Sequence, residues 1–142
     1  MEVFKNSLRK TGQKDAVTSM SGAENLPIGP PAQYGGSADT LNPEELFVAS
    51  VNSCIMLVFS HFAKKKELDF CEYSSEAEGI VEKTKEGLRF TGISVKAEVV
   101  LNDENQAGKV EEIAQLAEKY CLVSNSVSCP VEYSVAWQLS EN

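Results

Sequence analysis

The chain is short of positive charge, of arginine and of histidine. Its 142 residues hold 13 Lys and Arg against 21 Asp and Glu, a net charge of −8. Acidic protein repels phosphate backbones and anionic lipid, which argues against nucleic acid and membrane surfaces as partners. His61 is the sole histidine, and no two of the four cysteines stand in a C-x2-C pair, which argues against a structural zinc site. Internal repeats and low-complexity tracts are absent. The segment Met1-Glu2-Val3-Phe4-Lys5 lacks the apolar core of a secretory signal. The most apolar stretch, Leu46 to Ala63, is broken by Ser50, Asn52, Ser53, Ser60 and His61, which argues against a transmembrane span. A soluble, cytoplasmic protein is expected. In a reducing compartment Cys54, Cys71, Cys121 and Cys129 are thiols or redox groups rather than structural bridges.

What is present is an ordinary globular composition, 42% hydrophobic, in a length that suits one domain over 1–142. Residues 1–41 are rich in turn formers, from Gly22 to Gly36, with room for short strands near 2–9 and 14–20. A helix start follows: Asn42 as N-cap, Pro43 in the first turn, then Glu44 and Glu45. This helix is expected to reach about Lys66. Of the 18 residues from Leu46 to Ala63, 13 are apolar and wrap most of its circumference. A helix apolar nearly all round must be covered on several sides, here by a sheet and by a second subunit.

Strands are expected over 69–83 and 89–101, joined by a turn at Thr84-Lys85-Glu86-Gly87. Ile93, Val95, Ala97, Val99 and Leu101 alternate with polar residues, giving one buried face. A second helix over about 104–120 carries an apolar stripe of Val110, Ile113, Ala114, Ala117 and Tyr120, continued by Cys121. A last strand, 130–139, alternates Val131, Tyr133, Val135, Trp137 and Leu139, with Cys129 in phase. Strands, helix, hairpin, helix, strand make an α+β fold with mostly antiparallel pairing.

Cys54 lies in register with Phe47, Val51, Val58 and Phe62, and Cys121 closes the stripe of the second helix. Both therefore point inward. They are either small core residues or a redox pair, in which one sulfur is oxidised to a sulfenic acid and the other captures it as a disulfide. Cys129, ahead of Pro130, reads as a core residue, and Cys71 carries no evident chemistry. His61 follows Cys54 by seven residues, about 10.5 Å along a helix axis, so the two cannot form a Cys–His dyad.

Two segments carry a resemblance: Asn42-Pro43-Glu44-Glu45-Leu46-Phe47-Val48-Ala49-Ser50-Val51-Asn52-Ser53-Cys54, and Ala117-Glu118-Lys119-Tyr120-Cys121-Leu122-Val123-Ser124-Asn125-Ser126. Both, with their separation and the order of elements between them, resemble the OsmC/Ohr family from residue 42 to the end. The resemblance implies antiparallel sheets around a long buried central helix, in an intertwined homodimer with its site at the subunit interface. It implies a thiol peroxidase acting on organic hydroperoxides or hydrogen peroxide, with Cys54 as the peroxidatic thiol and Cys121 as the resolving one. An external dithiol supplies electrons, and no metal or organic cofactor is called for. Glu44 matches a carboxylate that orients an arginine. At that arginine's place stands Pro31-Ala32-Gln33-Tyr34-Gly35-Gly36, where Gln33 is the approximate match. Lys14 or Arg9, on the N-terminal strands, are the remaining candidates for the cation. Glu44 precedes Cys54 by ten residues, about 15 Å on a straight helix, so it serves a partner's Cys54 unless the helix breaks. The alternative function is a dimer of this fold that binds a small apolar ligand or acts as a redox sensor without turnover.

Overall fold

A computed structural model describes residues 1–14 and 16–141. The chain divides into two compact units, Met1–Phe47 and the remainder from Val48.

The first unit is an antiparallel three-stranded sheet: β1 (Ser7–Arg9), β2 (Ala16–Met20) and β3 (Ala23–Ile28) in that order. Residues 1–6 are exposed and outside any strand, so the expected strand at 2–9 is shortened to its last three residues. The expected strand at 14–20 is β2, although Asp15 within it lies outside the described residues. β3 occupies sequence that its turn formers had assigned to loop. Pro27 is tolerated because β3 is an edge strand, where a missing N–H costs little. Asn25 takes a left-handed φ of 58° beside an irregularity in the β2–β3 pairing, a conformation asparagine accepts more readily than most residues.

The long helix α1 (Pro43–Lys65) begins where expected. Asn42 is buried, and its side-chain oxygen accepts the Glu45 backbone N–H at 2.7 Å. α1 is unbroken and continues into the second unit. There, β4 (Phe70–Thr84) and β5 (Gly87–Leu101) form the hairpin, turning at Lys85-Glu86. After β5 come a short 3-10 turn (Glu104–Gln106), α2 (Gly108–Tyr120) and a second 3-10 turn (Ser124–Ser126). The last strand, β6 (Val131–Leu139), then lies parallel to β5, since α2 carries the chain back to start again at the same end. The sheet order is β4-β5-β6.

The core forms between this sheet and the helices. Val51, Ile55, Phe59 and Ala63, four residues apart, are the buried stripe of α1. Val110, Ile113, Ala114 and Ala117 are that of α2, and Ile93, Val95, Ala97, Val99 and Leu101 line the β5 face. Phe59 packs on Phe70 and Tyr73 of β4, with ring centroids 5.9 and 5.5 Å away. Asn52 accepts the Ser75 hydroxyl at 2.8 Å. Gly79 lets α1 approach β4: a Cβ there would stand 2.6 Å from Val48 Cγ2.

Four expectations change. Tyr120 is exposed rather than buried; its ring leans on Phe62, 5.6 Å away, and the Lys119 ammonium lies 5.3 Å from its centroid. Trp137 and Leu139 are exposed, at the end of an edge strand, although their β5 partners Val99 and Leu101 are buried. Cys129 lies in the bend before Pro130 and is half-buried, not core. By length and composition α1 does qualify to cross a membrane, despite its polar interruptions. The argument for a core helix is instead its stripe packed on the sheet. Off that stripe α1 is incompletely covered within one chain, and Leu57 is 62% exposed.

Candidate functional site

Cys54 stands on α1, half-buried, one residue before the buried Ile55. Cys121 follows the last residue of α2 and is fully buried. The fold brings their side chains together, near enough for Cys121 to perturb the Cys54 thiol, although they are 67 positions apart. All four cysteines are free thiols.

The turn after α2 surrounds this pair with backbone donors. The Ser124 N–H points at Cys121 Sγ, 3.5 Å away. The N–H groups of Val123 and Leu122 lie beside the Cys54 sulfur, near enough to favour its thiolate. Burial pushes the Cys54 thiol above its ordinary range, and the adjacent Cys121 adds to the rise; the Val123 and Leu122 N–H groups pull it back down. Beside Cys121 lies Tyr133 of β6, whose hydroxyl meets that of Tyr73 of β4 at 2.7 Å. Ala97 is the small residue in the β5 row between the two, and it leaves room for the phenols to meet across that strand. Both phenols titrate above their ordinary range. Burial is the main cause; their mutual bond raises Tyr133 further and partly offsets the rise at Tyr73.

The other expected site residues belong to the first unit. Glu44 lines a cleft of about 410 Å³ with Leu8, Ile28, Pro31, Tyr34 and Pro43. Its Oε1 is buried with no hydrogen-bond partner among the described residues. Gln33 is exposed on a short 3-10 turn (Ala32–Tyr34), Lys14 is exposed in the loop before β2, and Arg9 is exposed at the end of β1. Since α1 is unbroken, no break carries Glu44 toward its own Cys54. Cys71 is exposed, with its thiol 3.4 Å from the Val100 carbonyl, and His61 is exposed against the Phe62 ring. No cluster of three His, Cys, Asp or Glu suited to a metal occurs among the described residues. The sequence reading missed the N–H donors and the tyrosine pair. Backbone donors leave no trace in side-chain identity, whereas Tyr73 and Tyr133 could have been found as phenols on the two strands that flank β5, opposite Val99 and Val95 of its buried face.

A long core helix packed on a three-stranded sheet is a fold that known proteins share. The family model described as OsmC-like protein matches residues 36–136, and the chain belongs to that family. Among curated relatives, the uncharacterized protein YmaD of Bacillus subtilis is 24% identical over 84% of this chain and 82% of its own length. An uncharacterized protein of Methanocaldococcus jannaschii is 23% identical over 85% of the chain, which spans 62% of that protein. An OsmC-like protein of unknown function from Vibrio cholerae shares the fold at a TM-score of 0.85, with 22% identity over 95% of this chain and 99% of that one. An organic hydroperoxide resistance protein from Legionella pneumophila gives 0.72, with 21% identity over 97% and 98%.

Proposed function

We propose that this protein is a two-cysteine thiol peroxidase of organic hydroperoxides or hydrogen peroxide. Cys54, as a thiolate, attacks the terminal peroxide oxygen. The O–O bond breaks, an alkoxide leaves and takes a proton to become an alcohol (water, for hydrogen peroxide), and Cys54 becomes a sulfenic acid. Cys121 attacks that sulfur, forming the disulfide and releasing water. An external dithiol then reduces the disulfide and restores both thiols.

The observation that carries this reading is the contact between Cys54 and Cys121 in a half-buried setting. Family membership supports it, since relatives of this fold include organic hydroperoxide resistance proteins. The uncovered sides of α1 support a homodimer. In that assembly the orphan oxygen of Glu44 orients a donor in the partner's site, with Gln33 or Lys14 beside it. The test is direct. After one equivalent of cumene hydroperoxide, mass spectrometry finds a 54–121 disulfide, and wild type consumes peroxide with a dithiol donor while Cys54→Ser does not. Equal, slow consumption by both refutes the reading.

The raised Cys54 thiol favours a second reading, a dimer that binds a small apolar ligand or senses redox state without turnover. A Cys54 pKa at or above about 8.5 in alkylation kinetics, with no peroxide turnover, selects it.

A further inference from the structure

The hydrogen bonds of the turn at 121–126 divide into two sets. One set ties down its carbonyls. Asn125 Nδ2 donates to the Lys119 carbonyl at 2.8 Å, Ser126 Oγ to that of Leu122 at 2.8 Å, and Ser124 Oγ to that of Cys121 at 3.3 Å. The backbone N–H groups of Asn125 and Ser126 add bonds to the Cys121 and Val123 carbonyls, each at 3.0 Å. The Ser124 N–H turns instead to the Cys121 sulfur, 3.5 Å away, and the N–H groups of Leu122 and Val123, which join no bond within the turn, lie beside the Cys54 sulfur. Three consecutive donors thus face two thiols, one of them fully buried.

We propose that this turn is the anion cradle of the thiol pair, with Leu122 and Val123 N–H holding a negative Cys54 sulfur and Ser124 N–H holding a negative Cys121 sulfur. The inference rests on the peroxidase reading for its purpose, but not for its test. Fixed N–H dipoles bind an anion more strongly than a neutral thiol, and more so where water is scarce. They favour the thiolate without a charged side chain. They also suit a charge that changes place. Cys54 is negative when it meets peroxide. Cys121 is negative when it attacks the sulfenic acid, and its proton leaves with the hydroxide as water. The titratable groups that face the pair are the thiols themselves, on α1 and at the end of α2, and Tyr133 on β6, with Tyr73 on β4 behind it. Ser124, Asn125 and Ser126 are positioning residues: their side chains fix the carbonyls so that the donors stay aimed at sulfur.

Val123 has φ −68°, which proline adopts without strain, so Val123→Pro deletes one donor and keeps the backbone dihedral. Asn125 and Ser126 are exposed, so Asn125→Ala and Ser126→Ala loosen the turn without touching the core. The assay is the pH dependence of iodoacetamide labelling at Cys54, followed by peptide mass spectrometry on full-length protein. Val123→Pro is expected to raise the apparent pKa by about one unit, some tenfold less thiolate near neutrality. The two alanine variants are expected to raise it by a few tenths each. Unchanged labelling profiles in all three overturn the proposal; if Val123→Pro does not fold, the alanine variants decide. Peroxide turnover is not the readout, so failure of the peroxidase reading and failure of the cradle are separate results.

Discussion

Gly79→Ala tests how closely α1 must lie on its sheet. The new methyl would stand 2.6 Å from Val48 Cγ2 and 2.7 Å from Phe90 Cε1. Ordinary contact starts near 3.4 Å, so each neighbour must retreat by roughly 0.8 Å, and Val48, whose χ1 is stiff in a helix, resists doing so without moving α1. Overpacking of this kind costs about 1–3 kcal/mol. The loss of glycine's freedom in the unfolded chain returns about 0.5–1 kcal/mol. The net expectation is a loss of about 0–2.5 kcal/mol, centred near 1, which at a urea slope near 2 kcal/mol/M lowers the midpoint by about 0.5 M. Gly92→Ala is the internal control. It lies on the same hairpin, opposite Ile80, with nothing within 4 Å of its added Cβ, so it should be neutral or slightly stabilising. Urea unfolding followed by circular dichroism compares the two. A Gly79→Ala midpoint equal to or above that of wild type would refute the packing argument.

Three further predictions concern the tyrosine pair and the helix. Tyr133→Phe or Tyr73→Phe alone strands one half-buried hydroxyl and should cost about 1–2 kcal/mol, whereas the double variant should lose less than the sum of the singles; additive losses in chemical denaturation contradict the shared bond. Both phenols stay neutral in the fold past the pH at which they ionise in the unfolded chain. Their contribution is therefore complete below about pH 10 and is lost above it, by about 1.4 kcal/mol per pH unit for each phenol. The double phenylalanine variant should flatten that alkaline limb, and an unaltered limb counts against it. Leu57→Lys should weaken self-association, since burying each of two leucines in a symmetric interface is worth about 1.5–3 kcal/mol; sedimentation velocity reads this, and an unaffected dimer or a monomeric wild type refutes it.

The sequence was most legible where side chains alone carry the signal. Asn42, Pro43 and the two acids mark the start of α1, and the alternation from Ile93 to Leu101 marks the buried face of β5. The two cysteine segments singled out Cys54 and Cys121 as either core residues or a redox pair, and left that choice open. The N-terminal unit was read poorly because β3 contains Pro27 and Asn25, residues that signal turns in general and are permitted here by an edge position and an irregular register. Tyr120 and Trp137 were misplaced because periodicity gives the face a residue occupies but not where the neighbouring cover ends. The donors of Leu122 and Val123 were invisible for a different reason: every residue but proline has an N–H, and only tertiary structure aims it.

The distance in sequence between the juxtaposed sulfurs has a thermodynamic corollary. A bond between positions 54 and 121 would enclose the whole β4–β5 hairpin and α2 in one covalent ring. By chain-entropy reckoning, a loop of about 68 residues removes about 4 kcal/mol of freedom from the denatured ensemble. The oxidised protein should then outlast the reduced one on heating, so that a molecule waiting for electrons is also its own most heat-resistant form.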